Sequence, residues 1–243
     1  MGFDASTGCG TKWGAMLYVA IVPTSAAVET LAQDWSAPAD REYVARRERP
    51  QMSLLGLAAL RALLFKVTGR SDWHLSRSQF GKPYAQTADE MAGPAVSISH
   101  TVGLVGVAVA CGGAVGIDVE RHRKRNIRAL AAAAFGPVEQ SEVAAEGADA
   151  FYRIWTVREA MAKATGDGLA LVINRHDLAE GVVSGRIETR SRIGRSWGLF
   201  HAVPESGHSV ALAWYDGAAD VRLHWVDITD AAAPIATATK VRP

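Results

Sequence analysis

The 243-residue chain uses cysteine sparingly, with Cys9 and Cys111 its only thiols. Two thiols cannot supply a disulfide framework or a four-thiolate zinc site, and such usage suits a reducing compartment, so a cytoplasmic location is expected. Charge is almost balanced, 26 Lys plus Arg against 25 Asp plus Glu. A net charge of +1 creates no global field to recruit nucleic acid or an anionic membrane, and any charge-driven partnership has to be local. No membrane-spanning helix of roughly twenty apolar residues is expected, since the longest run without Asp, Glu, Lys or Arg, residues 91–117, is broken by Pro94, Ser97, Ser99, His100 and several glycines. The apolar stretch Trp13–Val22 is too short, has no basic lead-in beyond Lys12 and stops at Pro23, so it reads as a strand rather than an anchor. No G-x-S-x-G turn and no cluster of His with Cys occurs, which removes the strained serine nucleophile of hydrolases and a zinc centre.

What is present is a chain that can bury a core. Hydrophobic residues make up 49% and charged residues 21%, a balance that excludes disorder and coiled coil. The length suits one large domain or two closely packed halves. After an arginine-dense stretch (Arg41, Arg46, Arg47, Arg49), Pro50 opens an apolar helical run to Val67, with Gly69 as its stop. Gly81-Lys82-Pro83 is a turn signal, Ala95–Ser99 and Leu104–Ala110 read as strands, and Cys111-Gly112-Gly113-Ala114 connects tightly into Val115–Glu120 as a hairpin. A basic run (Arg121, His122, Arg123, Lys124, Arg125, Arg128) leads into an alanine-rich helix around Leu130–Phe135, and a loop with Pro137 follows. Asp149 is placed to cap a helix from Ala150 to about Thr165, closed by Gly166. Beyond it, Leu169–Ile173, Val182–Glu188, Val210–Tyr215 and Val221–Val226 read as strands, and the Ala/Thr/Pro tail past Thr229 as poorly ordered.

One internal echo bears on architecture. Arg61–Gly69 reads RALLFKVTG and Arg158–Gly166 reads REAMAKATG, matching at Arg, Lys, Thr and Gly. Each closes a helix. The expectation is an α+β fold of two similar halves related by a pseudo-twofold, each a long helix packed on a small antiparallel sheet. The boundaries are set at 1–115 for the N-terminal half, 116–230 for the C-terminal half and 231–243 for the tail.

Two segments carry groups that could do chemistry. Asp118 and Glu120 are two apart on an apolar strand, so both carboxylates project to one face while Ile117 and Val119 point away. Like charges so placed call for a cation, and oxygen donors suit a hard ion such as Mg2+; the same pair would also serve as solvated residues at a strand end. On the helix from Ala150, Trp155, Glu159 and Lys163 recur at i, i+4 and i+8 and share a face. The pair Glu159 and Lys163 could be a surface ion pair, but Trp155 on the same stripe suggests an inward-facing or cleft-lining surface, where a phosphate and a metal ion would satisfy both. Ser99 and His100 could form a phosphate-binding corner, and their adjacency argues against a Ser-His-Asp nucleophile arrangement.

In order, Gly81-Lys82-Pro83, Val96-Ser97-Ile98-Ser99-His100, Gly116-Ile117-Asp118-Val119-Glu120 and the Trp155–Lys163 helix resemble the GKP, (F)N-x-S-H, G-(I/V)-D-(I/V)-E and W-x-x-K-E-A-x-x-K motifs of the Sfp-type 4′-phosphopantetheinyl transferases. Ser53-Leu54-Leu55-Gly56 also fits, and the resemblance spans residues 41 to 175. Arg158 replaces the usual lysine, Ser97 the usual Asn and Val96 the common Phe, while Met52 stands where an arginine often occurs.

The resemblance implies transfer of the 4′-phosphopantetheine arm of coenzyme A to a serine of an acyl or peptidyl carrier protein, releasing adenosine 3′,5′-bisphosphate. It implies Mg2+ or Mn2+ held by Asp118, Glu120 and Glu159, with Lys163 on the diphosphate. Glu159 is the first candidate for the base and Glu139 the second. Lys82, Pro83, Ser99 and His100 would hold the adenine and 3′-phosphate end, with Arg47 nearby; Arg47 or Arg49 would replace the missing upstream contact, and Arg158 would meet a phosphate. Carrier proteins are typically acidic, so the basic run Arg121–Arg128 would steer them in. The chain is expected to act as a monomer. Two other readings remain open at this point, a Mg2+-dependent nucleotide phosphohydrolase and a non-catalytic carrier-binding module.

Overall fold

The computed structural model describes residues 16–24, 27–168, 173, 176–204, 207–216 and 222–229. They fall into two compact units, one running up to Ala114 and taking in the 222–229 segment, the other starting at Val115 and ending at Asp216.

The first unit contains β1 (Met16–Pro23), α1 (Ala27–Trp35), α2 (Pro38–Val44), α3 (Pro50–Thr68), β2 (His74–Arg77), β3 (Pro83–Gln86), β4 (Ala95–Thr101), β5 (Leu104–Cys111) and β10 (Arg222–Trp225). Its four-stranded sheet has the order β10-β1-β5-β4, antiparallel except where β10 pairs with β1; β2 and β3 form a separate hairpin. The sequence of β5, LVGVAVAC, is buried along all but its last residue, the signature of a strand covered on both faces. On it lies α3. Pro50 opens this helix with the preset φ of a first turn, and Gly69 at φ 71° closes it. Leu60, Leu63 and Leu64 pack with Val105, Val107 and Val109, each buried leucine contributing about 2 kcal/mol. By length and composition α3 could cross a membrane, but Arg61 and Lys66 interrupt it and more than half of it is inside this core.

The second unit contains β6 (Ala114–Arg121), α4 (Ile127–Ala134), α5 (Pro137–Glu146), α6 (Ala148–Thr165), β7 (Ile187–Arg192), β8 (Arg195–Ala202) and β9 (His208–Tyr215). Its sheet has the order β6-β9-β8-β7, and α6 packs on β9 and β8 through Phe151, Ile154, Val157 and Met161. Both units thus carry one long helix on a four-stranded sheet, the α+β class expected.

The echo marks a repeated local device. Gly166, like Gly69, closes its helix in the left-handed region, at φ 85°. Thr68 and Thr165 each accept from the amide two residues on, at 3.2 Å in both cases. Arg61 pairs with Asp40 at 2.6 Å, and Arg158 pairs with Glu139. Asp40 and Glu139 hold the same position, the third residue of a proline-started helix, and each carboxylate also accepts from the backbone N–H just ahead of that helix (Ala37 and Gly136).

Several local expectations are corrected. The turn Cys111–Ala114 does not make a hairpin, because β5 pairs with β1 and β4 while β6 pairs with β9. Local glycines specify a turn, but partners are chosen by the packing of whole sheets. Pro137 opens α5 rather than sitting in a loop, since its ring suits a first helical turn. The last long helix begins at Ala148 behind Gly147, so Asp149 lies in its first turn and is not the cap. The strand expected at Val182–Glu188 starts only at Ile187. Strand β10, inside the expected C-terminal half, joins the first unit's sheet. Residues 169–172 of the strand expected at Leu169–Ile173, and the tail from residue 230, lie outside the described residues.

Candidate active site

Gly116 decides how closely β6 can approach α6. A Cβ there would stand 1.9 Å from the Ala160 carbonyl oxygen and 2.6 Å from the Ala164 amide nitrogen, so only glycine lets the strand seat on the helix backbone. Strand alternation puts Asp118 and Glu120 on the same face as Gly116. The consequence is direct contact with the charged stripe of α6: Lys163 Nζ lies 2.6 Å from Asp118 Oδ1. Asp118 is buried and Lys163 about one-third exposed, so the pair sits at the lip of the packed interface.

Glu159 completes the group. Burial first, then the charges of Asp118 and Glu120, push its carboxyl up to about 7, with Lys163 pulling the other way. Glu120 is likewise raised by burial and by Asp118, and drawn back by Arg125, Arg123 and Lys163. Three carboxylates from two separate segments therefore share one field with a single ammonium. Among the described residues no three His, Cys, Asp or Glu side chains are drawn together as tightly as a metal's ligand shell, and Lys163 instead occupies Asp118. Trp155, the third member of the stripe, stacks on Phe151 at 5.8 Å, which anchors this face of α6 in the core.

Glu139 and Arg158 do not belong to this group. Both side chains are fully buried and paired with each other. Glu139 also accepts from the amides of Leu178 at 3.0 Å, Ala179 at 2.7 Å and Gly136 at 3.2 Å. Arg158 donates to the carbonyls of His176 and Ala134, each at 3.0 Å. A carboxylate so saturated has no face for a serine hydroxyl, and a guanidinium without exposed surface cannot meet a phosphate. Both expected roles are withdrawn. Burial pushes the Glu139 carboxyl up while Arg158 and the three amides hold it down.

The remaining expected residues lie in the first unit. Ser99 is buried on β4, and His100 Nε2 lies 3.4 Å from Ser53 Oγ of α3. Gly56, one turn on, permits that approach, since a Cβ there would meet Ile98 Cγ2 at 2.8 Å. Lys82 and Pro83 enter β3 from a turn held by Gly81 at φ 84° and line a cleft of about 590 Å3 with Gly112 and Gly113. Arg47 and Arg49 are exposed between α2 and α3. Arg47 lies over the Tyr43 ring, 4.7 Å from its centroid.

Sequence reasoning missed what fixes the basic run to the acidic group. The Tyr152 hydroxyl accepts from the Arg123 amide at 2.7 Å and donates to the Arg123 carbonyl at 3.0 Å, while its ring stacks on His122 at 4.2 Å. This pins the chain where it leaves β6 and keeps Arg123 and Arg125 within electrostatic reach of Glu120. A lone helical tyrosine carries no local signal of such a role.

The stretch from β6 to β9, residues 114–213, matches the family model of the 4′-phosphopantetheinyl transferase superfamily. The stretch contains Gly116, the three acids and Lys163, so the family pattern and the observed convergence fall on the same elements. The chain is also similar to a Bacillus subtilis protein named 4′-phosphopantetheinyl transferase, 28% identical over 134 residues. That match takes in 53% of this chain and 58% of the relative, so the chain spans somewhat more than half the length of the curated relative it matches.

Proposed function

We propose that this protein transfers the 4′-phosphopantetheine arm of coenzyme A to a serine of an apo carrier protein. The observation that carries the reading is the meeting of Asp118, Glu120, Glu159 and Lys163 inside the superfamily segment. The donor set is all oxygen, and burial first, then the charges of Asp118 and Glu120, raise the pKa of Glu159 by more than Lys163 offsets. That chemistry fits a hard divalent ion, Mg2+ or Mn2+, held by Asp118, Glu120 and Glu159. When bound, such an ion neutralises charge on a diphosphate and on the leaving phosphate.

The chain's own groups supply the rest. Lys163, reaching the lip of the interface, offers an ammonium to a diphosphate oxygen. The serine Oγ attacks the phosphorus that carries the pantetheine arm, and the phosphoanhydride bond to the nucleotide breaks. Adenosine 3′,5′-bisphosphate leaves with that bond's electron pair. Glu159 is the group placed to accept the serine proton. Lys82, Pro83, Ser99, His100 and Arg47 are the coenzyme A contacts in this reading, and Arg123, Lys124, Arg125 and Arg128 face an acidic carrier. The test is mass spectrometry of an apo carrier protein incubated with coenzyme A, with and without a chelator. The carrier should gain the phosphopantetheine mass, and the chelator should abolish the gain. Phosphate release from nucleotides without carrier modification would replace this reading with hydrolysis, and carrier binding without either reaction would leave only a binding module.

A further inference from the structure

Strand β6 is seated on α6 at two places. The first is Gly116, against the backbone of Ala160 and Ala164. The second lies beyond the strand's last residue, where the Arg123 peptide meets the Tyr152 hydroxyl. Tyr152, Glu159 and Lys163 fall at i, i+7 and i+11 and therefore share one face of α6. Asp118 and Glu120 stand between the two anchors, and the guanidiniums of Arg123 and Arg125 start at the second.

The second anchor is tightly built. Tyr152 is fully buried, and its single hydroxyl accepts from the Arg123 amide at 2.7 Å and donates to the Arg123 carbonyl at 3.0 Å. One phenol thus serves both backbone groups of a residue that no sheet ladder reaches. The His122 ring stacks on the phenol at 4.2 Å and is itself held, with Nε2 2.8 Å from Ser209 Oγ and its amide donating to the Gly207 carbonyl at 2.7 Å. The Arg125 guanidinium lies over the same phenol, 5.6 Å from the ring centroid, within cation–π range. Arg123 is exposed and Arg125 half-buried, and neither forms an ion pair with a carboxylate among the described residues. Their charges still reach the acidic group: burial and Asp118 raise the Glu120 pKa, while Arg125 and then Arg123 draw it down.

We propose that Tyr152 is a positioning residue: by fixing Arg123 and Arg125 at the edge of the acidic group, it orients two guanidiniums for carboxylates of the incoming carrier protein and so sets carrier affinity. The role rests on the transferase reading. Tyr152 is buried beneath the run and touches no reacting atom, so its effect passes through the arginines. A charge held in place before docking loses less freedom on binding than one on a loose loop, and the gain falls on the partner that brings the opposite charge.

Steady-state carrier modification by the full chain, with carrier and coenzyme A varied separately and ionic strength as a further variable, tests the role. Tyr152→Phe keeps the ring and releases the Arg123 peptide. The KM for the carrier should rise about three- to tenfold, with kcat and the KM for coenzyme A unchanged, and its rise with salt should be shallower than in wild type. Arg123→Gln should raise the same KM comparably, and the double variant should be no worse than the more severe single one, because the phenol acts through that arginine. Ser209→Ala, which takes away the support of the His122 ring, should act in the same direction and serves if Tyr152→Phe does not fold. A packing role alone would lower Tm and leave the carrier KM and its salt dependence at their wild-type values. That result in both Tyr152→Phe and Ser209→Ala, or a fall in kcat with KM unchanged, overturns the role of Tyr152 while wild-type carrier modification keeps the transferase reading standing. A wild type that modifies no carrier protein removes both.

Discussion

Replacing Arg158 by methionine separates a structural guanidinium from a phosphate-binding one. Methionine keeps much of the length and removes the charge. In the folded chain it would leave Glu139 with three backbone amides and no cation, and would leave the carbonyls of Ala134 and His176 without their donor. Breaking a fully buried ion pair by deleting one partner costs about 3–5 kcal/mol. Glu139 can limit the loss by taking up a proton: from its ordinary pKa of 4.5 this costs about 3 kcal/mol at neutral pH. Each orphaned carbonyl adds about 1 kcal/mol. The expected destabilisation is therefore about 5 kcal/mol near pH 7, shrinking as the pH falls toward 5 and protonation of Glu139 costs less. Urea unfolding followed by tryptophan fluorescence measures it, and Glu139→Gln combined with Arg158→Met should recover a large part. In the fraction that stays folded, KM for coenzyme A should match wild type. A stability loss below about 1 kcal/mol together with a raised KM would refute the argument and return Arg158 to the substrate.

On the proposed reading Mg2+ should raise the Tm of the wild type, and Asp118→Asn and Glu159→Gln should each remove that rise and lower carrier modification at least about a hundredfold; a Mg2+ shift retained in the variants would remove these acids from the ion. Gly116→Ala should cost about 3 kcal/mol or more, because the new Cβ meets the α6 backbone, which unlike a side-chain tip cannot swing away; a Tm close to wild type would show that β6 does not depend on this close approach. His201 is buried on β8 with Nδ1 2.7 Å from Ser184 Oγ, and burial, then Arg153 and His122, hold its pKa down from 6.5 to about 4. A histidine depressed in the fold favours the native state above its unfolded pKa, so about 3 kcal/mol should be lost as the pH falls from 6.5 to about 4. His201→Asn should flatten that part of the stability curve, and an unchanged slope would clear His201 of the effect.

The sequence by itself determined those features that are written into a few consecutive residues. The ends of α3 and α6 follow from Pro50, Gly69 and Gly166, because ring closure and left-handed φ are properties of single residues. The pairing of Asp118 with Glu120 follows from strand periodicity, and the shared face of Trp155, Glu159 and Lys163 from helix periodicity. The repeated Arg-Lys-Thr-Gly ending already pointed to two similar units. Tertiary structure alone decided which elements meet. Whether β6 pairs with β5 or β9 is a competition between whole sheets, and glycines in the connecting turn do not bias it. Glu139 and Arg158 are polar letters in the sequence, equally fit for chemistry or for a buried clamp, and only the packing of α5 and α6 with the 176–179 segment makes them the clamp. The acidic group itself depends on the same long-range fact: Gly116 removes one side chain, two backbones close to contact, and carboxylates about forty residues apart in sequence come to share one field, an outcome that no local propensity encodes.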